Sequence, residues 1–109
     1  MPTTDEPRLP TGTAEITADD TGIPVIKLVG EIDLSNVDSI RATIEPTVSK
    51  APERIVFDLS RLDFLDSSGI ALLLFAAATC GSVQLRYPSD IVRRIIEVTG
   101  LADVLHMDA

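Results

Sequence analysis

Apolar side chains recur along this chain with two periods, and the switches between them divide it into strands and helices. Residues 13–17 read as a short edge strand, and the turn-rich stretch ADDTGIP separates it from a better strand over residues 25–32. The two suggest an N-terminal hairpin. In the second strand Ile26, Leu28 and Ile32 share one face, while Val25, Lys27 and Val29 share the other. Ser35 followed by Asp38 resembles a capping box with Asp in the place of Glu, and Val37, Ile40, Ile44 and Val48 then follow at helical spacing. A helix is therefore expected from near Asn36, with Pro46 kinking or restarting it.

Residues 54–60 alternate cleanly: Ile55, Phe57 and Leu59 face one way, Val56 and Asp58 the other. A strand is expected there. After the stretch Asp66-Ser67-Ser68-Gly69 comes IALLLFAAATC, rich in good helix formers and closed by Gly81-Ser82. Next, Val83, Leu85 and Tyr87 alternate with Gln84 and Arg86 as a strand. Ser89 is placed to cap a last helix through DIVRRIIEVTG, with Val92, Ile95, Ile96 and Thr99 on one stripe and Gly100 as its stop. Leu101, Val104 and Leu105 are expected to fold back onto the core. The alternation of strands with helices implies an α/β fold: a mixed, mostly parallel sheet of four to five strands. Since several strands are apolar on one face only, the helices should lie mainly on one side.

Asp66-Ser67-Ser68-Gly69 admits two readings. A strand running into a helix needs one residue able to accept from exposed N–H groups, and either Asp or Ser serves. Here three such residues stand in a row. A hydroxyl at a helix N-terminus sits where the dipole favours an anion, so a phosphate added there would not unfold the domain. It would bring roughly −1.5 to −2 charges beside Asp66. Asp33 would lie close as well, if strand ends cluster as in parallel sheets.

Length and charge narrow the possibilities. A chain of 109 residues is one small domain, and a formal charge of −8 sets it against phosphate backbones and anionic lipid. No nucleic acid and no membrane is expected among its partners. Cys80 is the only cysteine and His106 the only histidine, which rules out an internal disulfide and a zinc cluster of the usual ligands. No cofactor is expected. The first twelve residues, MPTTDEPRLPTG, are Pro-rich without an apolar core, and read as a disordered tail rather than a signal peptide. The domain proper is then 13–109, in the cytoplasm.

At this point the chain resembles the STAS domain family (sulfate transporter and anti-sigma factor antagonist), and within it the bacterial anti-sigma factor antagonists. The likeness rests on VGEIDLSN at 29–36, IVFDLSRLDFLDSSGIALLL at 55–74 and VRRIIEVTGLADVL at 92–105. It implies a partner-switching protein that binds an anti-sigma factor with serine kinase activity and so frees a sigma factor. The kinase would phosphorylate Ser67, and a metal-dependent serine phosphatase would reset it. Asp33, Asp66, Ser67, Ser68 and Gly69 would form the partner-binding site, with Ser68 as the helix-capping residue and the protein a monomer or weak dimer. Two features depart from the family pattern. The segment 69–88 is several residues shorter than usual, and its helix lacks basic residues and is apolar nearly all round. Such a helix is either buried on both sides or exposes one face for a partner or a second copy.

Two other functions stand beside this one. As a hydrolytic nucleophile, Ser67 or Ser68 needs a base, and His106 is three residues from the C-terminus; nor is the stretch Gly-x-Ser-x-Gly. The alternative is a STAS scaffold or regulatory subunit of a transporter or stress-sensing complex, without serine phosphorylation. Cys80 reads as a small apolar residue closing a helix, against an intermolecular disulfide acting as a redox switch.

Overall fold

The computed structural model describes residues 12–107. The tail expected over residues 1–12 thus lies, but for Gly12, outside the described residues. Nine elements follow in order: β1 (Thr13–Ala18), β2 (Pro24–Ile32), α1 (Val37–Val48), β3 (Arg54–Leu65), α2 (Ser67–Thr79), β4 (Ser82–Arg86), α3 (Asp90–Val98), the 3-10 turn Leu101–Asp103, and β5 (His106–Met107). The strands form one sheet in the order β1-β2-β3-β4-β5. β1 and β2 pair antiparallel, and every other pair is parallel. The α/β architecture is the expected one, with helices on one side. Ile26, Leu28 and Ile32 of β2 and Ile55, Phe57 and Leu59 of β3 join Ile40 and Ile44 of α1, Leu73 and Ala76 of α2, and Val92 and Ile96 of α3 in a single core.

Several details differ from the sequence reading. β3 continues to Leu65, because the register against β2 shifts between Lys27 and Val29 and again between Gly30 and Glu31. Bulges of this kind place two residues opposite one, so Ser60 and Arg61 are both exposed and the alternation breaks in mid-strand. α1 runs unbroken through Pro46, which sits in its last turn, and the helix ends two residues later. Tyr87 has left the strand: β4 stops at Arg86, and Tyr87 turns with φ 59° and is exposed. α3 buries Val92 and Ile96, with Ile95 half-buried and Thr99 exposed past its end. Ser89 caps it as expected, its hydroxyl accepting from the Val92 N–H at 3.2 Å. Gly100 follows with φ 76° in the left-handed stop position. Leu105 is fully buried and Leu101 half-buried, whereas Val104 is half exposed.

α2 is buried on more than one side. Leu72, Leu73 and Ala76 face the core, Phe75 is half-covered, and the Arg41 guanidinium of α1 lies 4.0 Å over the Phe75 ring. Its exposed positions are Ser67, Ala71, Ala78 and Thr79, all small side chains. Cys80 is buried behind it and burial pushes its thiol pKa up, which suits the small apolar reading rather than a reactive thiol.

Candidate functional site

β2 and β3 are parallel, so their C-terminal ends, Ile32 and Leu65, are register partners at one end of the sheet. The loops that leave them carry the candidate residues. The Asp66 N–H donates to the Ile32 carbonyl at 3.1 Å, which ties the second loop to the end of β2.

Asp66, not Ser68, is the N-cap of α2. Its backbone is extended, and its Oδ1 accepts from the Ser68 N–H at 2.8 Å and the Gly69 N–H at 3.3 Å. The Ser68 hydroxyl donates to the same oxygen, and the Leu34 N–H of the first loop also reaches the carboxylate. The cap expected of Ser68 is thereby supplied by Asp66: the helix starts one residue inside the motif, and the residue before it is the acceptor. Led by the Ser68 hydroxyl, these donors hold the Asp66 pKa below its ordinary 3.8, against the opposing effect of burial.

A pH dependence follows. A carboxylate with a depressed folded pKa adds stability that is complete above 3.8 and is lost as the pH falls through the lower folded value. The thermal midpoint should therefore drop on acidification below 3.8. It should drop less steeply in Asp66→Asn, which keeps an acceptor but has no charge to lose; an identical slope would assign the effect elsewhere. Asp19, whose pKa is likewise lowered, chiefly by the Thr21 hydroxyl, contributes to the slope in the same direction.

Asp33 leads the first loop. The Ser35 N–H donates to its Oδ1 at 2.9 Å, as does the Ser35 hydroxyl, while Asn36 receives the Asp33 N–H on its Oδ1 and donates to the Glu31 carbonyl. Asn36 is the N-cap position of α1, so the expected Ser35–Asp38 capping box is not formed. The Ser35 hydroxyl is spent on Asp33, which makes a tighter turn than a helix cap would allow.

Gly69 is buried where α2 crosses the ends of β2 and β3. A Cβ there would lie 2.8 Å from Leu65 Cβ and 3.3 Å from Ile32 Cγ2. Overpacking of this kind costs about 1–3 kcal/mol, partly offset by the higher helix propensity of alanine, about 1 kcal/mol. Gly69→Ala should therefore be destabilised by up to about 2 kcal/mol in urea titrations; a gain in stability would show that the helix shifts freely.

Around this frame Ser67 is exposed, the first residue of α2, and its hydroxyl has no hydrogen-bond partner among the described residues. At the same end of the sheet Leu34, in the loop after β2, is 79% exposed, and Phe64, next to the end of β3, is 41% exposed. The expected residues Asp33, Asp66, Ser67, Ser68 and Gly69 are thus brought together at one end of the sheet. Leu34 was missed by the sequence reading; a lone leucine between Asp33 and Ser35, in a turn that gives it nothing to pack against, was the available signal.

Residues 16–106 match the family described as Mlab, STAS domain. The anti-sigma F factor antagonist of Lysinibacillus sphaericus is 36% identical over 90 residues, covering 78% of this chain and 76% of that one. The anti-sigma-F factor antagonist RsfB of Mycobacterium tuberculosis is 33% identical, covering 77% and 71%. Among solved structures, the anti-sigma factor antagonist SpoIIAA in its unphosphorylated form superposes with a TM-score of 0.70 at 30% identity, over 89% of each chain. An anti-sigma factor antagonist from Mycobacterium paratuberculosis does so with a TM-score of 0.80 at 27% identity, over 88% and 84%. With a family match over residues 16–106, and with these identities and superpositions, this chain belongs to the STAS domain family and, within it, to the anti-sigma factor antagonists, which are regulators rather than enzymes.

Proposed function

We propose that this protein binds an anti-sigma factor with serine kinase activity, thereby freeing a sigma factor, and is switched off by phosphorylation of Ser67. The observation that carries the reading is the placement of that hydroxyl: exposed, unpartnered among the described residues and first in α2, beside a carboxylate that is already saturated. A kinase can reach it without unfolding anything. Because Asp66 holds the Ser68 and Gly69 N–H groups, neither is free for a phosphate on Ser67. It stays outside the fold, in the field of the helix dipole, where a docked partner meets it. That SpoIIAA has been solved in a phosphorylated form, with a TM-score of 0.64 to this chain, supports the same reading.

Purified protein incubated with anti-sigma kinases of its own genome, ATP and magnesium should gain the mass of one phosphate, and Ser67→Ala should gain none. A stable complex without phosphate transfer would mark a phosphorylation-independent antagonist. Neither complex nor phosphate would overturn partner switching in favour of a scaffold role. A serine phosphatase should remove the phosphate and restore binding.

A further inference from the structure

The side of the sheet that carries no helix holds a cavity of about 320 Å³. Since Ile55, Phe57, Val83 and Leu85 point into the core, their neighbours Arg54, Val56, Gln84 and Arg86 point the other way. Met107 packs on the core, which turns His106 to the same side, and the pairing of Gln84 with both Val56 and His106 sets three strands in register across the cavity. Ile23, from the β1–β2 turn, closes one wall. Val56 is only 3% exposed although it lies outside the helix-side core, so the cavity has an apolar floor.

The charge of this lining is unlike that of the chain. Of seventeen acids in the sequence, none lines the cavity among the described residues, while Arg54, Arg86 and His106 do. Arg86 is held in place, its Nη2 donating to Gln84 Oε1 at 3.2 Å, and it is near enough to Asp19 to act on that carboxylate electrostatically. Asp58, its register partner on β3, flanks it too. Arg54 is exposed at the rim. Guanidinium groups bind carboxylates in bidentate fashion, and a site of this size sits at the lower end of the roughly 300–1,000 Å³ seen for small molecules.

We propose that this cavity binds a small organic carboxylate, its anionic end held by Arg54 and Arg86 with His106 and Gln84 beside them, and its apolar end on Val56 and Ile23. The site is distinct from the serine loop. Arg54 opens β3 and Ser67 follows its far end, so roughly 35 Å of extended strand separates them. The inference therefore stands or falls independently of partner switching.

The test is a titration of the isotope-labelled whole chain, followed by amide chemical shifts, with butanoate, butyramide and inorganic phosphate as separate probes. Butanoate should shift the amides of Val56, Gln84, Arg86 and His106 saturably, and butyramide should not. Arg54→Gln, at an exposed position, should weaken butanoate binding about tenfold, the value of one lost charge-assisted contact. His106→Gln should weaken it less, since glutamine keeps a donor. Three results would each overturn the proposal: no saturable shift with butanoate, equal shifts with butyramide, or an Arg54→Gln titration like that of the parent. If phosphate produced the same shifts with equal affinity, the site would be an anion site indifferent to the apolar floor, and the carboxylate assignment would fall.

Discussion

Phosphorylation of Ser67 is expected to lower the affinity for the partner kinase by about 10⁴-fold, or about 5.5 kcal/mol, the amount that turns a complex from 99% bound to 1% bound at fixed concentrations. On the reading proposed above, the magnitude follows from what surrounds the hydroxyl. Asp66 and Asp33 are both at this end of the sheet, with Ser68, Gly69 and Ser35 N–H groups already donated to them. A group carrying roughly −1.5 to −2 charges is therefore added next to two carboxylates, where the Ser68 and Gly69 N–H groups are already engaged. In the free protein water solvates it. In a complex that covers this end of the sheet, where Leu34 and Phe64 are exposed apolar side chains, the phosphate would be desolvated unless the partner supplied cations. Calorimetric titration of modified against unmodified protein measures the difference, and equal affinities would remove the switch. Ser67→Asp adds one charge on a shorter arm and should fall between the two. Amide shifts on phosphorylation should stay within the two loops and the first turn of α2, because Asp66 continues to cap the helix.

The largest loss of stability is expected from Phe57→Ala. Phe57 is fully buried in β3, paired with Ile26 of β2 on one side and Leu85 of β4 on the other, so no surface side chain can move in to fill the space. Truncations of this kind cost about 3–5 kcal/mol, a large share of the roughly 5–15 kcal/mol that holds a domain together. Urea unfolding should show it as a fall in midpoint at unchanged slope. The control is its neighbour: Val56 is almost as buried, but it faces the open side of the sheet, where an existing cavity relieves the loss of two methyl groups. Val56→Ala should cost only about 1 kcal/mol. Equal losses at the two positions would mean that the sheet has cores on both faces.

The parts of the fold that were legible in the sequence are those in which one local signal dominates. Ile55-Phe57-Leu59 alternates because one face of β3 is buried, and Val92 and Ile96 fall one turn apart because α3 rests on the sheet along a single stripe. Ser89 and Gly100 mark the ends of that helix by backbone chemistry alone. What was not legible depends on distant partners. The bulges of β3 are set by its register against β2, thirty residues earlier, and no period within residues 54–65 reveals them. β5 is two residues long and exists only because Gln84 and Leu85 offer it an edge. At the serine loop, residue identities indicated the site, but not the division of labour: that Asp66 rather than Ser68 caps α2 follows from where the helix begins, and three candidate acceptors in a row leave that start open in the sequence.

The order of strands across the sheet is the order in which they occur along the chain. No strand has to be inserted between two that are already paired. As the polypeptide leaves the ribosome, the β1–β2 hairpin has its partner at once, and β3, β4 and β5 each meet a waiting edge, the helix made just before each of them being available to cover the new apolar face. Growth stops at β5, too short to template another strand. The same topology that gathers the loops after β2 and β3 at one end of the domain therefore lets the protein be assembled in the direction of its synthesis.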